Sequence, residues 1–194
     1  MAPDATLDRL LASHRAAVVE FLSRADRVPL SRWNTPRGPG KWTPGQEVMH
    51  VTLTYEAFIR DLRGGQAMAL RGSRWQRMIW RAIGLTSVLR LRRIPVAARA
   101  PRESRPPETV AGPKALLADF RARVNEFESV YVDVWRAAPE KRMTHPYFGM
   151  LSLAQSMTMV DVHTRHHAAF LQLSAARTTT GEPTKTSAVK PGPA

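Results

Sequence analysis

The chain contains no cysteine. That excludes a disulfide framework and thiolate metal ligation, so any ion must be held by histidine nitrogen or by oxygen. Redox compartment is left open by the same absence. Long apolar runs are also missing: no stretch approaches the roughly 18 uninterrupted apolar residues of a membrane-spanning helix. The opening residues, Met-Ala-Pro-Asp-Ala-Thr, show no positive segment followed by an apolar one. A soluble, cytoplasmic protein is therefore the expectation. Acids are scarce against bases, 16 to 29, for a formal charge of +13. The excess is concentrated, because ten arginines between Arg71 and Arg105 face a single acid, Glu103, and give that segment +9. Such a cluster suits nucleic acid, an anionic membrane surface or an acidic small molecule, or is the solvated face of an arginine-rich protein.

What is present is helical periodicity over a length of 194 residues, which suits one domain. From about Asp4 to Arg27, Leu7, Leu10, Leu11, His14, Ala17, Val18, Phe21 and Leu22 recur at three- and four-residue steps, and Val28-Pro29 ends this first helix. His14 lies on or beside the stripe, either as a further polar group of a site or as a histidine at the edge of the core. Thr43-Pro-Gly-Gln46 reads as a capping box with proline at the first helical position. A second helix should start there and run to Arg63, before Gly64-Gly65. On it His50 shares a face with Glu47, Thr54, Ala57 and Asp61, beside an apolar stripe of Val51, Tyr55, Phe58 and Leu62.

The segment from Gln66 to Gly112 is too long for a tight connection between neighbouring helices and predicts a crossover. Within it Arg74 to Arg93 interleaves tryptophan, isoleucine and leucine with arginine. One or two short amphipathic helices, broken near Gly84, should cap an end of the fold or lie on a membrane surface. Pro95 to Pro113 carries five prolines and should be extended. A third helix is expected over Pro113 to Ala137, a turn at Thr144 to Gly149, and a fourth helix from the Ser152-x-x-Gln155 capping box to Ala175. Arg177 to Ala194 lacks apolar periodicity and should be a disordered tail. The sum is an all-α, four-helix bundle over residues 1–176, with a long crossover between helices two and three that contains short amphipathic helices.

The chemistry centres on Asp161-Val-His-Thr-Arg-His-His167. His163 and His167 are four residues apart, so on a helix both imidazoles share a face within reach of one ion. His166 sits off that face, as a boundary residue or a contact behind the ligands. His50 lies near the start of its helix and the pair toward the end of theirs, so antiparallel packing would bring all three to one level. Four motifs in order, Gly40-Lys-Trp-Thr-Pro-Gly-Gln-Glu-Val-Met-His50, Ala100-Pro-Arg-Glu-Ser-Arg-Pro106, His145-Pro-Tyr-Phe-Gly149 and His163-Thr-Arg-His-His167, resemble the DinB-like superfamily over about Leu7 to Leu173. That family includes metal-dependent hydrolases and thiol S-transferases. The resemblance implies a four-helix bundle, often dimeric, with a divalent metal held by His50, His163 and His167. The family often places a glutamine three residues after the last histidine, where this chain has Phe170.

Three neutral imidazoles leave a divalent ion charged and open to a further ligand. Nitrogen ligands suit zinc or nickel, with iron as the further option. Such an ion activates water or a low-molecular-weight thiol, so hydrolysis and thiol transfer on a small-molecule substrate are both available. Glu47, one turn from His50, is the candidate general base, or else a first-turn acid complementing the helix dipole. Asp61 is a weaker candidate. The competing classes are a non-catalytic metal- or ligand-binding bundle, and a nucleic-acid- or membrane-binding module acting through the arginine cluster.

Overall fold

The side chain of Asp4 accepts from the backbone of Thr6 and Leu7, and this cap starts helix α1, Ala5–Asp26. Its buried residues, Leu7, Leu11, His14, Ala17, Val18, Phe21 and Ala25, follow the three- and four-residue steps of the sequence. Helix α2, Pro44–Leu62, opens on the expected capping box: Gln46 N–H donates to Thr43 Oγ1 and Thr43 N–H to Gln46 Oε1, both at 3.1 Å. Reciprocal capping of this kind is worth about 1 kcal/mol per satisfied donor. The computed structural model describes residues 4–94 and 99–176. The predicted tail, 177–194, lies outside the described residues, as does part of the proline-rich stretch.

After α2 the chain enters the crossover. Helix α3, Arg74–Trp80, has its own capping box between Ser73 and Gln76. The expected break near Gly84 is absent. The chain stays helical through wider π-type turns, Arg81–Leu85 and Ser87–Leu91, and stops at Arg92 in a left-handed conformation, φ 54°. Gly84 serves packing rather than a break, since a Cβ there would lie 2.9 Å from Cε1 of Phe148. A short 3₁₀ turn, Arg102–Ser104, follows.

Helix α4, Pro113–Ala137, buries Leu116, Leu117, Phe120, Val124, Phe127 and Tyr131, while Val130, Val134 and Trp135 are only partly covered. The predicted turn before the last helix is in fact an antiparallel hairpin of β1, Arg142–His145, and β2, Gly149–Ser152. Strands of four residues are too short for alternation to register in a sequence. His145 pairs with Gly149 across the turn, and Gly149 adopts φ 70°, a conformation glycine adopts without strain. Nδ1 of His145 accepts the backbone N–H of Tyr147 and of Phe148, at 3.3 and 3.2 Å. Helix α5, Leu153–Ala176, starts at the predicted Ser152–Gln155 box.

The described chain is thus mostly helical with one small two-stranded sheet. Helix α1 packs along α5, α2 packs along α4, and α2 also meets α5. Between them lies a core rich in aromatic rings, among them Phe21, Tyr55, Phe120, Phe127 and Tyr131. A smaller apolar cluster of Leu85, Val88, Leu151, Met159 and Val162 fastens the crossover to β2 and α5. The partly buried Leu89, Ile94 and Phe148 pack against the same cluster. No helix among the described residues is long and apolar enough to cross a membrane.

Candidate metal centre

His50 of α2 is buried, and its Nδ1 lies 2.6 Å from the carbonyl oxygen of Ser104 in the crossover. A carbonyl only accepts, so Nδ1 carries the proton and the Nε2 lone pair points away from it. His167 of α5 is held in the same way. Its Nδ1 donates to Oε2 of Glu47 at 2.7 Å, which leaves its Nε2 as an acceptor. Nε2 of His163 lies 3.2 Å from Nε2 of His50. The three side chains bring one nitrogen each within 4.8 Å of one another. A proton on His163 could serve only one neighbour, whereas a cation takes all three lone pairs.

The donor set fits such an ion. Two nitrogens at zinc-like distances in a tetrahedral arrangement stand about 3.4 Å apart, close to the 3.2 Å between His50 and His163. Burial drives His50 below its ordinary pKa, and burial together with the neighbouring imidazoles drives His163 and His167 well below theirs. All three are therefore neutral at physiological pH, the form that ligates. The pairs Glu47–His167 and His50–His163 run in opposite directions along the two helices. The antiparallel approach expected from the sequence is what makes the three meet.

Glu47 is itself almost fully buried. Burial raises its carboxyl pKa, and the Arg37 guanidinium pulls it back down. Its oxygens are shared out: Oε1 accepts from Arg37 at 2.9 Å and Oε2 from His167. Arg37 in turn lies over the Phe170 ring, 4.2 Å from its centroid. Trp42 packs against His50, their ring centroids 4.7 Å apart.

Other residues singled out in the sequence lie elsewhere. His14 is a core histidine, with Nδ1 on Glu128 at 2.9 Å and Nε2 on the Tyr55 hydroxyl at 2.8 Å. Asp61 accepts the backbone N–H of Thr144 at 2.7 Å and ties α2 to the hairpin. His166 stands edge-on to His167 and Phe170, outside the group of converging nitrogens. Arg37 and Ser104 are the partners that sequence reading missed. Ser104 acts through its backbone carbonyl, which no side-chain pattern marks, although it sits in one of the four motifs.

The histidines form one end of a cavity of about 560 Å³. Phe58 and Met68 wall it, and Ile79, Trp80, Ile83 and Val88 of the crossover roof it. Among the described residues its charged lining is Arg37, Lys41, Arg99 and the acid Glu47.

The family model described as the DinB superfamily matches residues 12–171 of this chain. No curated protein and no solved structure gives a significant match.

Proposed function

The chain belongs to the DinB superfamily, and from that premise we propose a divalent-metal enzyme built on a four-helix bundle, with thiol transfer favoured over hydrolysis. The observation that carries the reading is the convergence of three buried imidazoles on a largely apolar cavity, two of them with Nδ1 already committed to acceptors of the chain itself. His50, His163 and His167 would hold zinc, nickel or iron. When bound, a divalent ion supplies Lewis-acid chemistry that lowers the pKa of a water or a thiol. The Ser104 carbonyl and Glu47 aim the Nε2 lone pairs of His50 and His167, and the apolar walls keep bulk water from the ligands.

The choice between reactions turns on Glu47. Both its oxygens are engaged, so in our reading it positions His167 instead of acting as the general base that the sequence suggested. No other carboxylate is among the described residues that line the cavity. A thiol, with an ordinary pKa of about 8.5, needs less help to ionise than water does. Arg37, Lys41 and Arg99 make the polar lining cationic, which suits a low-molecular-weight thiol or a small substrate that carries carboxylates. Hydrolysis is the second reading. It would use His166, kept neutral by burial and lining the cavity, as its base.

The test is metal content of the purified protein, by mass spectrometry, followed by a screen of low-molecular-weight thiols against electrophiles. We expect one ion per site in the wild type, little in His50→Ala or His163→Ala, and conjugation that chelation abolishes. Stoichiometric metal in both variants would overturn the site. A metal-loaded protein inert throughout the screen would make it a binding module.

A further inference from the structure

The crossover carries an exposed apolar stripe that belongs to neither core cluster. Trp75, Met78, Ile79 and Ile83 recur at three- and four-residue steps along its helical turns, and they are 73%, 53%, 53% and 68% exposed. The opposite face of the same turns is tied down. Leu85 and Val88 enter the second apolar cluster, and Arg81 donates to the carbonyls of Phe148 and Met150 at 3.0 and 2.9 Å. The exposed stripe therefore belongs to a helix held firmly in place, not to a fraying end.

Charge decides what such a stripe meets. Residues 71–94 hold seven arginines and no acid. Among the described residues only one of these seven forms an ion pair, Arg92 with Asp161. Arg74, Arg90 and Arg93 are exposed. A second copy seated on this face would bring a second set of the same arginines against the first, with no carboxylates to offset them. Nucleic acid would meet the arginines but leave four large apolar side chains without a partner. An anionic bilayer satisfies both, since guanidinium groups pair with phosphate while tryptophan, methionine and isoleucine enter the boundary with the acyl chains.

We propose that this face, Trp75, Met78, Ile79 and Ile83 flanked by exposed arginines, docks the protein on the surface of a bilayer containing anionic phospholipid. Ile79 and Ile83 also line the cavity that leads to the histidines, so the apolar surface is continuous from the docking face to the cavity. Docking does not depend on the metal site, and His50→Ala should partition like the wild type.

The experiment is flotation of the full chain with vesicles of phosphatidylcholine alone, or of phosphatidylcholine mixed with the anionic lipid phosphatidylglycerol. The wild type should float with the anionic vesicles, stay behind with the neutral ones, and be released as salt rises. The double variant Trp75→Ser, Ile83→Ser should partition at least tenfold more weakly at the same salt, with an unchanged melting temperature because both positions are exposed. Arg74→Gln with Arg90→Gln should weaken binding to a lesser degree. Brominated lipid should quench wild-type fluorescence more than that of Trp75→Phe, which still binds. The proposal is overturned if the wild type ignores anionic vesicles, whether or not it binds duplex DNA. It is equally overturned if the serine variant binds as well as the wild type. A vesicle-free dimer that the serine substitutions dissociate would also overturn it, with a second copy as the occupant.

Discussion

Nδ1 of His167 donates to Oε2 of Glu47 across 2.7 Å, and the other oxygen of that carboxylate is held by Arg37. A residue that in sequence looks like a base for catalysis thus has both carboxylate oxygens engaged by the chain itself. The arrangement sets tautomer, ring orientation and basicity of His167 at once.

Replacing Glu47 therefore acts through metal affinity. Glu47→Gln keeps an oxygen for Nδ1 but loses the charge and the Arg37 ion pair, so affinity should fall by about tenfold; Glu47→Ala, which removes the acceptor, should approach about 100-fold. Competition against a chromophoric chelator measures both. Equal affinity in wild type and Glu47→Ala would remove the positioning role.

Metal and stability should be linked. An ion that binds only the folded chain raises the melting temperature, so a chelator should lower it in the wild type. His163→Ala should melt lower than the metal-loaded wild type and show no further response to chelator. Differential scanning calorimetry with and without chelator distinguishes the two.

The pH dependence has a definite sign. Burial holds His145 down to about 3, and depresses His50, His163 and His167 as well, from the ordinary 6.5 of a histidine. Below pH 6.5 the unfolded chain takes up protons that the folded chain refuses, so stability declines as pH falls. Stability of the chelator-treated protein should be flat in this respect above about pH 6.5 and drop progressively toward pH 3. Urea midpoints across that range test it. His145→Ala should reduce the slope while lowering stability at neutral pH, because two backbone donors lose their acceptor.

Tyr55 bridges α1 and α5 inside the core. Its hydroxyl meets Nε2 of His14 at 2.8 Å and Oγ1 of Thr164 at 3.0 Å. Tyr55→Phe leaves those buried groups short of a partner, at a cost of about 1–3 kcal/mol. Denaturant unfolding should show the loss, and metal content should not change.

Gly84 faces the ring of Phe148 with no room for a side chain. Gly84→Val should cost about 1–3 kcal/mol by overpacking and loosen the crossover from the hairpin. Faster hydrogen exchange over residues 81–91 is the readout.

Helices α1, α2, α4 and α5 were legible to within a residue or two, because capping boxes, prolines and three- and four-residue apolar spacing are local properties of the chain. The hairpin was not, since its register depends on Gly149 and on the His145 side chain holding the turn. Gly84 misled for a related reason: a glycine reads as a break unless the ring that packs against it is known.

By itself the sequence determined the helices, the absence of thiolate ligands and the three histidines able to hold a metal, because four-residue spacing and the four motifs are written along the chain. Tertiary structure alone decided which nitrogen of His50 and of His167 faces the others, since Ser104 and Glu47 come from distant positions. It decided that both oxygens of Glu47 are engaged, that His14 serves the core, and that the arginine-rich crossover lines the cavity while leaving an apolar stripe exposed. Each of these depends on contacts across tens of residues, and spacing within one segment carries no record of them.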